Sequence, residues 1–154
     1  MSIYEAVRAV VDQMAPDLGI EVSESWDDAV LDIPADQLLA VAYELKARGF
    51  DRLGMVTAVD RDEVFELVYR VQSRSLRAAA FVKTRVPREV AFIASLCDVW
   101  PAANWQEREV FDLFGIVFEG HADLRRILLP DDWPGWPLRK DYQDANVIKR
   151  PDYI

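Results

Sequence analysis

Leu53-Gly54-Met55-Val56-Thr57-Ala58-Val59, Val64-Phe65-Glu66-Leu67-Val68-Tyr69-Arg70-Val71 and the run from Leu76 to Lys83 follow one another with only short polar joints. Asp60-Arg61-Asp62 separates the first two, and Gln72-Ser73-Arg74-Ser75 the second and third. Runs rich in valine and aromatic residues, joined this tightly, pair antiparallel, because a parallel return needs a long crossover. Upstream, Ile20-Glu21-Val22 and Ala29-Val30-Leu31-Asp32-Ile33 alternate as two more short strands, the second stopped by Pro34. Helical spacing at Tyr4, Val7, Val10, Val11 and Met14 ends at Pro16. Leu38, Leu39, Val41, Ala42 and Leu45 mark a second helix, with Asp36 as its N-cap and Gly49 as its stop. Pro87-Arg88-Glu89 predicts a third, ending near Cys97-Asp98. This order predicts an α+β domain over residues 1–119, a small mixed or antiparallel sheet with helices packed on it. A long extended C-terminal tail follows over 120–154.

Composition agrees. The 154 residues are 51% hydrophobic and 29% charged, the balance of one globular domain with a real core. No run reaches the roughly 18 apolar residues of a membrane span. No basic region precedes an apolar stretch at the N-terminus, so no secretory signal is visible and a cytoplasmic setting is expected. A single cysteine, Cys97, excludes an intramolecular disulfide or a multi-thiolate site. The net charge of −9 is concentrated at the front: residues 1–60 carry −8, 61–120 carry −1 and 121–154 balance to 0. An acidic head disfavours nucleic acid and anionic lipid as direct partners.

The helix around Glu107-Arg108-Glu109 carries the most local signals. Asn104 and Glu107 have capping-box spacing, Arg108 and Asp112 stand four apart, and Gly115 suits a left-handed C-terminal cap. Val110, Leu113 and Phe114 share one face. Beyond Phe118 periodicity ends. Pro130, Pro134 and Pro137 bracket Trp133 and Trp136, and Arg125, Arg126, Arg139 and Lys140 alternate with Asp123, Asp131, Asp132 and Asp141. A segment this polar and proline-broken cannot bury a core of its own. Its arginines and tryptophans are the residue types that anchor protein–protein interfaces. A competing reading folds the segment back over its own sheet.

An acid/base set of Glu107, Glu109 and His121, with Asp123 orienting the histidine, is one chemical reading. The absence of a nucleophile motif, phosphate loop or second histidine weighs against it. His121 with Asp123, or Asp131 with Asp132, supplies too few ligands for a metal. Cys97, beside Phe92, Ile93 and Leu96, reads as a small buried hydrophobe. No catalytic, cofactor or metal residues are therefore assigned.

From Trp105 to Tyr142 the chain resembles the thirty-kilodalton subunit family of NADH-quinone oxidoreductase, the respiratory complex I also known as NDH-1. The resemblance rests on Glu107-Arg108-Glu109, Asp112-Leu113-Phe114-Gly115-Ile116, Gly120-His121, Asp123-Leu124-Arg125-Arg126-Ile127-Leu128 and Pro137-Leu138-Arg139-Lys140-Asp141-Tyr142. Ala122 and Gln143 stand where the family usually has proline. The resemblance implies a subunit without activity or cofactor of its own, in a complex that carries electrons from NADH through FMN and Fe-S clusters to quinone and pumps protons. It implies a peripheral place on the cytoplasmic face of the cell membrane, with two neighbours: the quinone-cavity subunit and the terminal Fe-S cluster subunit. The implied interface comprises Glu107, Arg108, Glu109, Asp112, His121, Asp123, Arg125, Arg126, Trp133, Trp136, Arg139, Lys140, Asp141 and Tyr142. Relatives of this family also serve membrane-bound hydrogenases and ferredoxin- or deazaflavin-linked dehydrogenases, so a scaffold in such a complex is the alternative.

Overall fold

The computed structural model describes residues 2–26 and 28–145; the part of the predicted tail over 146–154 lies outside them. Helix α1 (Ile3–Val11) begins at a capping box that the sequence carries in plain view: Ser2 Oγ accepts from Glu5 N–H, and Glu5 returns a carboxylate to Ser2 N–H. Strands β1 (Glu21–Ser25) and β2 (Asp28–Asp32) form an antiparallel hairpin. Helix α2 (Leu38–Ala47) comes next, and β3 (Arg52–Asp60), β4 (Val64–Ser73) and β5 (Ala78–Pro87) make the predicted antiparallel meander. β2 then lies parallel to β5, which makes the five-stranded sheet mixed, in the order β1-β2-β5-β4-β3.

Period-two alternation divides the sheet. Phe65, Leu67, Tyr69 and Val71 of β4 join Ala80, Val82 and Val86 of β5 beneath the helices, all buried. The opposite face carries no helix, and Arg85 there bridges Asp32 and Glu66 while Arg61 adds a second bond to Glu66.

Three predicted helix starts change. Asp36 lies in a single 3-10 turn (Ala35–Gln37) and caps nothing; α2 starts from Gln37 without a side-chain cap. The helix predicted from Pro87 is one 3-10 turn (Arg88–Val90) followed by β6 (Phe92–Ala94). β6 pairs parallel with β7 (Val117–Glu119), a partner that follows only after helix α3 (Ala103–Phe114). Local spacing favours helix there; a nonlocal pairing overrides it. At α3 the cap expected from Asn104 is absent: Ala102 holds the N-cap position with no side-chain bond. Gly115 does close the helix in the left-handed region, at φ 70°.

Candidate functional site

Residues 120–145 contain no helix or strand, yet they lie against α3 and the end of β3 through a dense polar clamp. Its centre is Asp112. One helical turn before Gly115, this fully buried carboxylate accepts the N–H groups of Ile127, Leu128 and Leu129 on Oδ2, at 3.1, 2.7 and 2.9 Å. Its Oδ1 takes Arg126 Nη1 at 2.8 Å. Burial alone would raise the Asp112 pKa, but Arg126 and the three amides outweigh it and hold the carboxyl below its ordinary range.

Arg126 is the second node. Besides Asp112 it donates to the carbonyls of Trp133 and Gly135, at 3.1 and 3.0 Å, and its guanidinium stacks 4.5 Å from the centre of the Trp136 ring. Arg108, expected to pair with Asp112 along the helix, instead donates to the carbonyls of Arg125 and Arg126. The helix surface thereby replaces a β-partner for the loop, with side chains answering backbone groups that no ladder reaches. Trp136 packs edge-on to Phe111 and covers Gly115, where an added Cβ would meet its ring at 2.5 Å. The glycine is required twice, by backbone angle and by this close approach.

The clamp closes on the sheet. Arg139 Nε donates to the Phe114 carbonyl at 2.6 Å and its guanidinium lies over Phe65. Buried Asp60, at the end of β3, accepts the N–H of Lys140 and of Asp62 and a bond from Arg88, which also reaches Asp141. Burial opposes ionisation of Asp60, yet Arg88 and those amides prevail and bring it to about 2. Lys140 Nζ reaches Asp62, while Trp133 Nε1 donates to Tyr142 Oη and that hydroxyl to Asp144.

Glu107 belongs to a different cluster. It does not cap α3. Fully buried, it accepts Ser95 Oγ–H at 2.6 Å, Leu96 N–H at 2.7 Å and the Cys97 thiol at 3.4 Å, tying the β6–α3 connection to the helix. Burial raises its pKa against those bonds, and burial likewise pushes the Cys97 thiol up to about 11. Donor atoms of Cys97, Glu107 and His121 all lie within 4.8 Å of one another, a grouping the separate spacings do not reveal. The histidine is nonetheless committed: Asp123 N–H donates to Nδ1, so the ring proton sits on Nε2 and donates to the Asn104 carbonyl. A cation would have to break both bonds and compete with three donors on Glu107. A thiol poised at about 11 is also a poor source of thiolate. Nor do the proposed acid/base partners assemble. Glu109 is exposed, and the Asp123 carboxylate faces Arg125 while its amide, not its carboxylate, orients His121.

Thus Glu107, Arg108, Asp112, Arg126 and Arg139 all find partners within the chain. Trp105 at 70% exposure, Leu128 at 61% and Leu138 at 52% point outward, the first being a residue that motif reading passes over.

A mixed five-stranded sheet bearing an extended segment clamped by buried ions defines an α+β protein. Residues 31–146 match the family model described as the respiratory-chain NADH dehydrogenase 30 Kd subunit, and the chain belongs to that family. It is 51% identical over 134 residues to the corresponding NADH-quinone oxidoreductase subunit of Moorella thermoacetica, covering 85% of this chain and 89% of that one. The corresponding subunit of Geotalea uraniireducens is 39% identical over 136 residues, covering 86% and 83%. Among solved structures, a trypsin-resistant fragment of Nqo5 (1–134) is 30% identical and superposes with a TM-score of 0.67, covering 77% of this chain and 99% of the fragment. A chain of the membrane-bound sulfane sulfur reductase, an archaeal respiratory membrane complex, is 29% identical with a TM-score of 0.79, covering 97% and 95%. No helix among the described residues is long and apolar enough to cross a membrane.

Proposed function

We propose that this chain is a non-catalytic structural subunit in the hydrophilic arm of a proton-pumping NADH:quinone oxidoreductase, bracing the subunits that form the quinone cavity and hold the terminal Fe-S cluster. The observation that carries this reading is the clamp itself. Ionic groups at Asp112, Arg126 and Asp60 fix the path of a segment with no ladder of its own, and large apolar side chains remain outward on it and on α3. Fixing such a segment in advance lowers the ordering entropy lost on association. FMN, Fe-S clusters and quinone fall to the other subunits, and one cysteine cannot supply a four-thiolate cluster. The complex sits on the cytoplasmic face of the cell membrane, with this chain peripheral to it.

The partner surface comprises Trp105, Glu109, Arg125, Leu128, Trp133 and Leu138, with Asp123, Lys140, Asp141 and Tyr142 at its margin. Replacing Trp105→Asp together with Leu128→Asp is expected to lower recovery of the assembled complex at least tenfold while the melting temperature of the isolated chain moves by less than about 2 °C. An equal loss in both measurements would assign these side chains to the fold and sink the interface.

A second reading is favoured by the match to the sulfane sulfur reductase chain, which spans 97% of this sequence. Here the same scaffold serves a related complex fed by another donor. Turnover of the purified complex with NADH against reduced ferredoxin separates the two.

A further inference from the structure

β6 and β7 pair parallel, and their register fixes which backbone groups the pairing uses. Val117 N–H donates to the Ala91 carbonyl at 2.9 Å and Ser95 N–H to the Glu119 carbonyl at 2.8 Å. Ile93 therefore turns both of its backbone groups to β7, and Phe92 and Ala94 turn theirs away. No other bond from the Phe92 or Ala94 amide is formed among the described residues. Beside β6 runs a groove of about 480 Å³, lined by the apolar Val86, Pro87, Val90 and Phe92 and by the acidic Asp36 and Glu119. Val90 is 56% exposed, Phe92 47% and Val117 45%; Phe92 and Val117 are direct cross-strand partners, so their side chains lie together on one face. Neither Asp36 nor Glu119 has an ion-pair partner among the described residues.

We propose that this groove takes an extended segment of a partner chain, added as a strand to β6, with apolar side chains at alternate positions and lysine or arginine among the others. Free donors and acceptors at every second residue are what an incoming strand pairs with, and period-two alternation sends every other side chain onto Val90 and Phe92. The two lining carboxylates, without an ion-pair partner among the described residues, select a basic segment. The net charge of −9 argues against a second copy of this chain as the occupant. The inference rests on the reading that the chain works inside an assembly.

The test uses the purified parent complex beside the isolated chain. Amide exchange at Phe92 and Ala94 is expected to slow at least tenfold in the complex. A benzophenone amino acid in place of Val90 is expected to cross-link to a non-helical, apolar segment of another subunit with lysine or arginine within two residues. Asp36→Lys with Glu119→Lys is expected to cut that yield at least fivefold. Unprotected Phe92 and Ala94 amides in an intact complex overturn the inference alone. So does a cross-link confined to this chain, to a second copy, or to a helical or acidic segment. If the tagged chain brings down no other subunit, the assembly reading fails, and this inference with it.

Discussion

The β3–β5 meander and the 120–145 segment are both well-defined backbone, and they are held by opposite chemistry. In the meander, strand ladders satisfy the backbone and Phe65, Leu67, Tyr69 and Val82 supply apolar burial. In the segment, backbone groups are answered by side chains instead of a ladder: Asp112 for three amides, Arg108 and the segment's own Arg126 for four carbonyls, Asp60 for one more amide. Burial of apolar surface is nondirectional and tolerates substitution. A clamp of buried ions is directional, and removing one member strands several others at once.

Asp112→Ala is accordingly the harshest test of that contrast, expected to cost about 3–5 kcal/mol. Urea unfolding together with exchange at Ile127, Leu128 and Leu129 reads it. Those three amides should lose protection ahead of the β4 amides, and simultaneous loss would show that the two regions form one cooperative unit. Leu67→Ala, expected to cost about 2–5 kcal/mol, should give the reverse pattern, with the sheet destabilised and the clamp bonds intact until global unfolding.

Gly115→Ala comes next, at about 2–3 kcal/mol, combining roughly 1–2 kcal/mol for a left-handed alanine with displacement of Trp136. Trp136 fluorescence should shift to the red as its ring leaves Phe111. An unchanged emission would detach the glycine from the clamp.

The pH dependence has a defined sign. Asp60 titrates at about 2 when folded, below an unfolded carboxylate at roughly 3.9. Its contribution, about 2 kcal/mol, is present above about pH 4 and lost as the pH falls toward 2. Slow exchange of the Lys140 amide should fade in that window, and Asp60→Asn should flatten the profile. Persistence of the profile in Asp60→Asn would assign it to another carboxylate.

Glu107→Gln carries the smallest effect, within about 1 kcal/mol. The amide oxygen keeps the Leu96 bond and the buried charge is gone. Because burial raises Glu107 in the folded state, its contribution to stability is present at low pH and declines as pH rises past the ordinary carboxylate range. The variant should therefore lose less stability than the parent between about pH 4 and 7.

The meander, the two N-terminal strands, α1, α2 and the Gly115 cap are legible because each rests on signals within a few residues: alternation, helical spacing, a stop residue. β6 is not. Its helix-like spacing gives way to a partner at Val117–Glu119 that no local window contains. The candidate site shows the same division. Glu107, Arg108 and Asp112 stand out in sequence as charged residues on a well-signed helix. Their i,i+4 and capping spacings are ordinary surface arrangements, and nothing in them shows that all three are buried. Arg126 and Trp136 stand out as anchors, and only the return of the chain over α3 shows that they anchor each other.

By itself, the sequence determined the α+β class, the antiparallel meander, the end of α3 and the family, all of which depend on residue type and short spacing. Tertiary structure decided which charges are buried and which partner each one takes. A carboxylate or guanidinium carries no mark of its surroundings, and its energy is set by the amides and ions that distant parts of the chain bring within about 3 Å of it and by the rings stacked on it.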